Sequence, residues 1–172
     1  MKSFLELAKE RYSVRKFKDI PIEQEKLDAI LEAGRLAPTA VNYQPQKIYV
    51  IKSEEGLKKI REITPCAFNA PVVLMVAYDK NIVYHNRFEE LETSGDQDTT
   101  IVGTHMMMEA WDLGIGSCWV NRFPPTATRN AFDIPANERL VFIMPLGYPA
   151  DDAEPHTMHF ASRALSEMVK EL

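Results

Sequence analysis

Residues 71–78, PVVLMVAY, carry no charge, and as an extended chain they would turn apolar side chains to both sides at once. A strand of that kind has to be buried. The run LVFIMPLGY at 140–148 has the same character, and KIYVIKS at 47–53 and GSCWVNRF at 116–123 also read as strands. Helical signals alternate with them. Phe4, Leu5, Ala8 and Tyr12 have the spacing of a short amphipathic helix, and residues 21–38 place Leu27, Ile30 and Leu31 on one face, with acids in the first turn and Pro38 as the stop. Ser53 with Glu54 and Glu55 opens a helix through Ile63, residues 98–114 read as a helix from Asp98 to Gly114, and a small helix is expected at 126–132. This interleaving predicts one sheet with helices on both faces and leaves the strand directions open.

The remaining stretches are connections. Residues 13–22 favour extended chain because of their β-branched residues and proline, and TAVNYQPQ at 39–46 is loop by its Asn and Pro content. Residues 79–97 are polar and mostly aperiodic, which predicts an exposed variable connection. Beyond Tyr148 the chain is too proline-rich and polar for a core, so 149–172 is expected to be a C-terminal strap ending in a short helical piece. Neither a repeat nor a composition shift divides the chain, and a single domain over 1–172 is the expectation.

Several function classes are disfavoured. A net charge of −5 and a pI near 5.4 argue against nucleic-acid binding, which needs a basic face. Two cysteines make no disulfide framework, the charged helical N-terminus is unlike a signal peptide, and no apolar run approaches the ~18 residues of a membrane span. The cytoplasm is the expected compartment, with no membrane association. Neither a Gly-x-Gly-x-x-Gly after a strand nor a Walker loop is present. His85, His105, His156 and His159 lack zinc-like spacing, so no metal site is expected, and Cys118 has no evident base to activate it.

Against that acidic background Arg11, Arg15, Lys16 and Lys18 gather around Ser13 in ERYSVRKFKD. On an extended chain Arg11, Ser13 and Arg15 share one face, where two guanidiniums and a hydroxyl suit a phosphate. A solvated basic edge pairing with Glu6 or Glu10 is the other reading. The stiff loop after the second helix carries Thr39, Asn42 and Gln44, and the amides of Asn42 and Gln44 could read the edge of a heterocycle or simply make turns. The methionines around His105 (THMMM) would fill irregular core or subunit-interface volume.

Taken in order, RYSVRKF, ILEAGRLAPTAVNYQP, DTTIVGTHMMMEAWDLGIGSCWV and MPLGYP resemble the nitroreductase family of FMN-dependent oxidoreductases over nearly the whole chain. The resemblance implies an α+β fold, a central antiparallel sheet flanked by helices, and an intertwined homodimer with two shared active sites. It implies that Arg11 and Ser13 hold the FMN phosphate and ribityl chain, with Tyr12 beside them, and that Arg15 lies at the flavin pyrimidine. Pro38, Thr39, Asn42 and Gln44 would reach the flavin of the other subunit, and Val120 and Asn121 would meet the ring near N5. Arg163 of the strap would join the phosphate. Gln46 stands where many members have Trp, and the strap offers chiefly this one arginine.

The implied activity is hydride transfer from NADH or NADPH through flavin N5 to a small-molecule acceptor, nitroaromatic, quinone or similarly electron-poor, by a ping-pong mechanism. The flavin carries the chemistry, so no side chain is assigned as catalytic and Arg15 only tunes the ring. A protein that stores or senses FMN without turnover is the alternative.

Overall fold

The computed structural model describes residues 2–89 and 92–172; Glu90 and Leu91, within the expected 79–97 connection, lie outside them. Four strands, β1 (Gln46–Ile51), β2 (Val72–Asp79), β3 (Gly116–Ser117) and β4 (Glu138–Gly147), form one antiparallel sheet in the order β1-β2-β4-β3. The helices are α1 (Phe4–Glu10), α2 (Gln24–Leu36), α3 (Glu54–Ile63), α4 (Gly95–Asp112), α5 (Pro125–Ala131) and α6 (Leu165–Met168). None among the described residues is long and apolar enough to cross a membrane.

β2 is buried on both faces, as its composition requires. Val72, Leu74 and Val76 join Leu27 and Ile30 of α2 and Val102, Met106 and Ala110 of α4, whereas Val73, Met75 and Ala77 join Leu57 and Ile60 of α3. In β4, Leu140 and Ile143 both lie on the α3 side, although residues three apart on a regular strand face opposite ways. The register explains this: Val76 faces Phe142 and Ala77 faces Leu140, so Val141 is an extra residue that resets the alternation.

α4 packs so closely on the sheet that a Cβ at Gly103 would come within 2.5 Å of both Phe142 and Trp119, whose rings stack at 3.5 Å. It ends in a Schellman motif: Gly114 adopts φ 77, its N–H donates to the Trp111 carbonyl, and the Ile115 N–H reaches the Ala110 carbonyl. Met106 lies wholly inside the core of the chain, leaving only Met107 and Met108 partly exposed from the methionine run.

Several boundaries differ from the sequence reading. α4 starts at Gly95 rather than Asp98, and α1 stops at Glu10, which puts Tyr12 in the extended segment rather than on the helix. The strand expected over 116–123 is regular only at Gly116–Ser117. The Cys118 N–H donates to the Pro145 carbonyl at 3.2 Å, but proline has no N–H to return, and pairing resumes only as an isolated Val120–Ile143 bridge.

The Tyr49 hydroxyl donates to the buried Glu138 carboxylate at 2.5 Å. Burial first, then this bond, push the tyrosine from 10.0 up to about 12. A pKa raised on folding contributes stability that is complete below about pH 10 and lost as pH climbs towards about 12. Tyr49→Phe should flatten that alkaline limb in urea melts, and near neutral pH it should cost about 1–3 kcal/mol because Glu138 loses its donor. An unchanged midpoint and pH profile would contradict this account.

Candidate functional site

The helix α1 begins with a capping box in which the Ser3 hydroxyl accepts from the Glu6 N–H and Glu6 accepts from the Ser3 N–H at 2.6 Å. Glu10 pairs with Lys2. Both acids that could have neutralised Arg11 are therefore engaged elsewhere. Arg11 ends the helix with extended backbone, and Ser13 then bridges to Ser117, with the Val14 N–H donating to the Ser117 carbonyl at 2.9 Å. Two glycines permit this close approach: a Cβ at Gly116 would fall 2.7 Å from Val14, and one at Gly147 would fall 2.9 Å from Phe17.

The four cations of this segment divide into two kinds. Lys16 pairs with Asp152 and Lys18 with Asp151, both at 2.6 Å, because residues 148–150 run alongside residues 16–18. Arg11 and Arg15 have no carboxylate partner among the described residues. Arg15 is exposed, and its Nη1 donates only to the Ser13 carbonyl at 3.2 Å. Arg11 is half-buried, and its desolvation lowers the guanidinium from its ordinary value. Burial pushes the neighbouring Cys118 thiol up, while Arg15, the Ser13 hydroxyl and Arg11 pull it back, as expected if the alternating face of residues 11–15 lies towards Cys118. A half-buried cation without a counter-charge, beside a hydroxyl and a second guanidinium, is suited to an anion.

Around this spot the strap and the wall beyond β3 close in. The Tyr12 hydroxyl donates to the Ala153 carbonyl at 3.1 Å, and its ring meets Trp111 edge-on at 5.3 Å and His159 at 6.3 Å. Arg163 lies four residues beyond His159 in an exposed stretch, with no ion pair among the described residues. Val120 is buried, and the exposed Asn121 accepts from the Trp119 indole at 3.2 Å. Thr64, which the sequence reading passed over, is 2 % exposed and donates its hydroxyl to the Arg122 carbonyl at 2.9 Å, fixing the backbone just after Asn121.

The loop after α2 lies elsewhere. Pro38, Asn42 and Gln44 are exposed and Thr39 is partly buried; Thr39 Oγ1 accepts from the Gln44 N–H at 3.0 Å. Val41, Asn42 and Gln44 have φ of 47, 56 and 51. The Ala40 N–H is held at 2.8 Å by Asp98, a buried acid at the start of α4 that the sequence reading also passed over. Its signal was faint, one more acid in a first turn. Gln46 begins β1, and its Oε1 is buried without a hydrogen-bond partner among the described residues.

Hence the two groups of candidate residues sit at opposite ends of α4. Arg11, Ser13 and Arg15 cluster near Trp111 and Ser117, while Asn42 and Gln44 hang from Asp98. The 13 steps from Asp98 to Trp111 on the helix span about 20 Å at ~1.5 Å per residue.

The chain matches the family model described as the nitroreductase family over residues 8–68 and 63–148. It is 32% identical, over 86% of its length and 78% of the relative's, to a protein of Methanothermobacter thermautotrophicus that carries the name NADH dehydrogenase/NAD(P)H nitroreductase. A crystal structure of a nitroreductase family protein from Clostridium difficile 630 superposes with a TM-score of 0.91 at 38% identity, covering 98% of both chains. An FMN-dependent nitroreductase of Clostridium difficile R20291 gives a TM-score of 0.73 at 25% identity, covering 90% of this chain and 92% of its own.

An uncompensated, partly desolvated cation opposes folding. Replacing it with an uncharged side chain of similar length, Arg11→Met, should therefore raise the thermal midpoint of the ligand-free protein. Solvent screening limits the gain to a fraction of a kcal/mol, or about 1–2 °C. The same change at the ion-paired Lys16 should give no rise. A lower midpoint for Arg11→Met would mean that Arg11 is already satisfied.

Proposed function

This chain belongs to the nitroreductase family, and we propose that it is an FMN-dependent NAD(P)H oxidoreductase whose active sites are shared between two copies. The observation that carries the reading is Arg11, a half-buried guanidinium with no carboxylate partner among the described residues, beside Ser13 and Arg15. The phosphate of FMN supplies the missing charge. When bound, FMN supplies an N5 that takes hydride from NADH or NADPH and passes it to an electron-poor acceptor such as a nitroaromatic or a quinone.

The residues then have distinct tasks. Arg11 offers charge-assisted hydrogen bonds to the phosphate, and Ser13 adds a neutral donor beside it. Arg15 provides a positive charge at the pyrimidine edge, where reduction adds negative charge, and so favours the reduced ring. Val120 and Asn121 present backbone to the ring near N5, in a segment stiffened by Thr64 and by the bridge to Ile143. Arg163 would complete the phosphate site from the strap. Donor and acceptor would use one slot in turn, which gives ping-pong kinetics, and no side chain is required as an acid or base.

Distance supports the shared site. Arg15 and the Asn42–Gln44 loop cannot both touch one ring when about 20 Å of α4 separates their anchors. A second copy brings the loop to the first copy's Arg15. Phe4 (70% exposed), Phe160 (74%) and Leu165 (72%) stand in solvent in the single chain, and a cleft of about 460 Å³ between α1, α2 and α4 is lined by Phe4, Leu7, Ala33 and Met108. Such apolar surface suits burial against a partner.

Purified protein should be yellow, and anaerobic titration with NADH or NADPH should bleach it. A yellow protein that neither donor reduces would favour flavin storage or sensing. Arg11→Ala should weaken FMN binding about ten- to a hundredfold, as expected for loss of a charged hydrogen bond, yet leave riboflavin, which lacks the phosphate, nearly unaffected. Equal losses for both flavins, read by fluorescence, would remove the phosphate assignment.

Light scattering should give a mass near twice 19.6 kDa. A flavin-loaded, active monomer would overturn the shared site.

A further inference from the structure

Asp98 is a carboxylate 2 % exposed, with no cationic partner among the described residues. Its Oδ1 accepts the Ala40 N–H at 2.8 Å and its Oδ2 accepts the Ser94 hydroxyl at 2.6 Å. It sits in the first turn of α4, where unpaired N–H groups and the helix dipole favour negative charge. Burying a carboxylate is costly, and this one does not serve as the helix cap. Its oxygens are directed outward, to a loop on one side and to a serine that roots the 79–97 connection on the other.

That loop needs an outside anchor. Val41 is β-branched and held at φ 47, a conformation that such residues adopt only where their surroundings impose it, and Asn42 and Gln44 are also left-handed. Within the loop the Asn42 N–H bonds the Thr39 carbonyl at 3.0 Å, the Tyr43 N–H bonds the Ala40 carbonyl at 3.1 Å, and the Gln44 N–H bonds Thr39 Oγ1 at 3.0 Å. These bonds close the turn on itself, and at its far end the Asp79 N–H donates to the Pro45 carbonyl at 2.9 Å, so its near end is what needs holding. Asp98 holds its first residue to a helix that is itself locked against the sheet. On the other side the Ser94 N–H donates to the Tyr84 carbonyl at 3.0 Å, so the same carboxylate ties the loop to the base of the connection.

Resting on the flavin reading above, we propose that Asp98 is the positioning residue that aims Asn42 and Gln44 at the flavin ring. It touches neither cofactor nor substrate. Its effect reaches them through the Ala40 N–H, by keeping a strained turn in the one orientation that presents both amides.

The consequence separates Asp98 from Arg11. Arg11 acts on the phosphate, so its loss should spare riboflavin; Asp98 acts on the ring contacts, so its loss should weaken FMN and riboflavin alike. The test measures binding of both flavins by fluorescence, together with the visible band of the bound flavin, in Asp98→Ala, Asp98→Asn and Ala40→Pro. Asp98→Ala should lose about ten- to a hundredfold for each flavin and shift the band, because hydrogen bonds to the ring change. Asp98→Asn keeps an oxygen for the Ala40 N–H and should recover most of the affinity. Ala40→Pro removes that N–H alone, in a position preceded by the extended Thr39, and should reproduce the loss even if Asp98→Ala does not fold. Tyr49→Phe, destabilised away from the site, serves as the control and should keep wild-type affinity and band. If Asp98→Ala or Ala40→Pro folds and binds both flavins within about twofold of wild type with an unshifted band, the positioning role is wrong while the flavin reading stands. If the wild-type protein takes up neither flavin, both fall.

Discussion

The packing of α4 against the sheet is the constraint from which the site follows. Val102, Met106 and Ala110 are fully buried against β2 and β4, and Gly103 removes the side chain that would hold the helix away from the Trp119–Phe142 stack. A helix held in this way is a rigid spacer. One end carries the Asp98 junction with the Thr39–Gln44 loop, and the other faces Tyr12 and the arginine segment. No side-chain movement closes about 20 Å, so under the proposed flavin reading the two groups of residues serve one ring only when a second copy is present.

Charge is distributed with similar economy. An acidic chain of net charge −5 can hold an anion only where it leaves cations uncompensated, and it does so selectively. The strap brings Asp151 and Asp152 to Lys18 and Lys16, while Glu6 and Glu10 are taken by Ser3 and Lys2. What remains is Arg11, partly desolvated and without a carboxylate partner among the described residues, with Arg15 beside it. Leaving them so costs stability, as a preorganised anion site under the proposed reading would.

Polar residues inside the fold hold the less regular walls. Thr64 fixes the carbonyl after Asn121, where Pro145 has interrupted the strand ladder, and Asp98 fixes the turn that contains Val41. Gln46 makes no such contribution: its buried oxygen is unpartnered among the described residues.

Much of this was legible in the residues alone. The apolar runs at 71–78 and 140–148, the helices with their stops at Pro38 and Gly114, and the shared face of Arg11, Ser13 and Arg15 depend on periodicity and on the steric rules of neighbouring residues, which a linear reading contains. The ordered motifs also carried the family. Other features arise only when residues far apart in sequence meet. Lys16 finds Asp152 across 136 positions, and Ala40 finds Asp98 across 58. The antiparallel order, the extra residue at Val141 and the early end of β3 are set by which strand lies opposite, since a hydrogen bond needs both partners and a single strand specifies one. Local pattern therefore determined which elements form and which side chains could bind an anion. Tertiary packing decided which cations remain unpaired and how far apart the two halves of the site must lie, because both depend on distances through space that spacing along the chain does not encode.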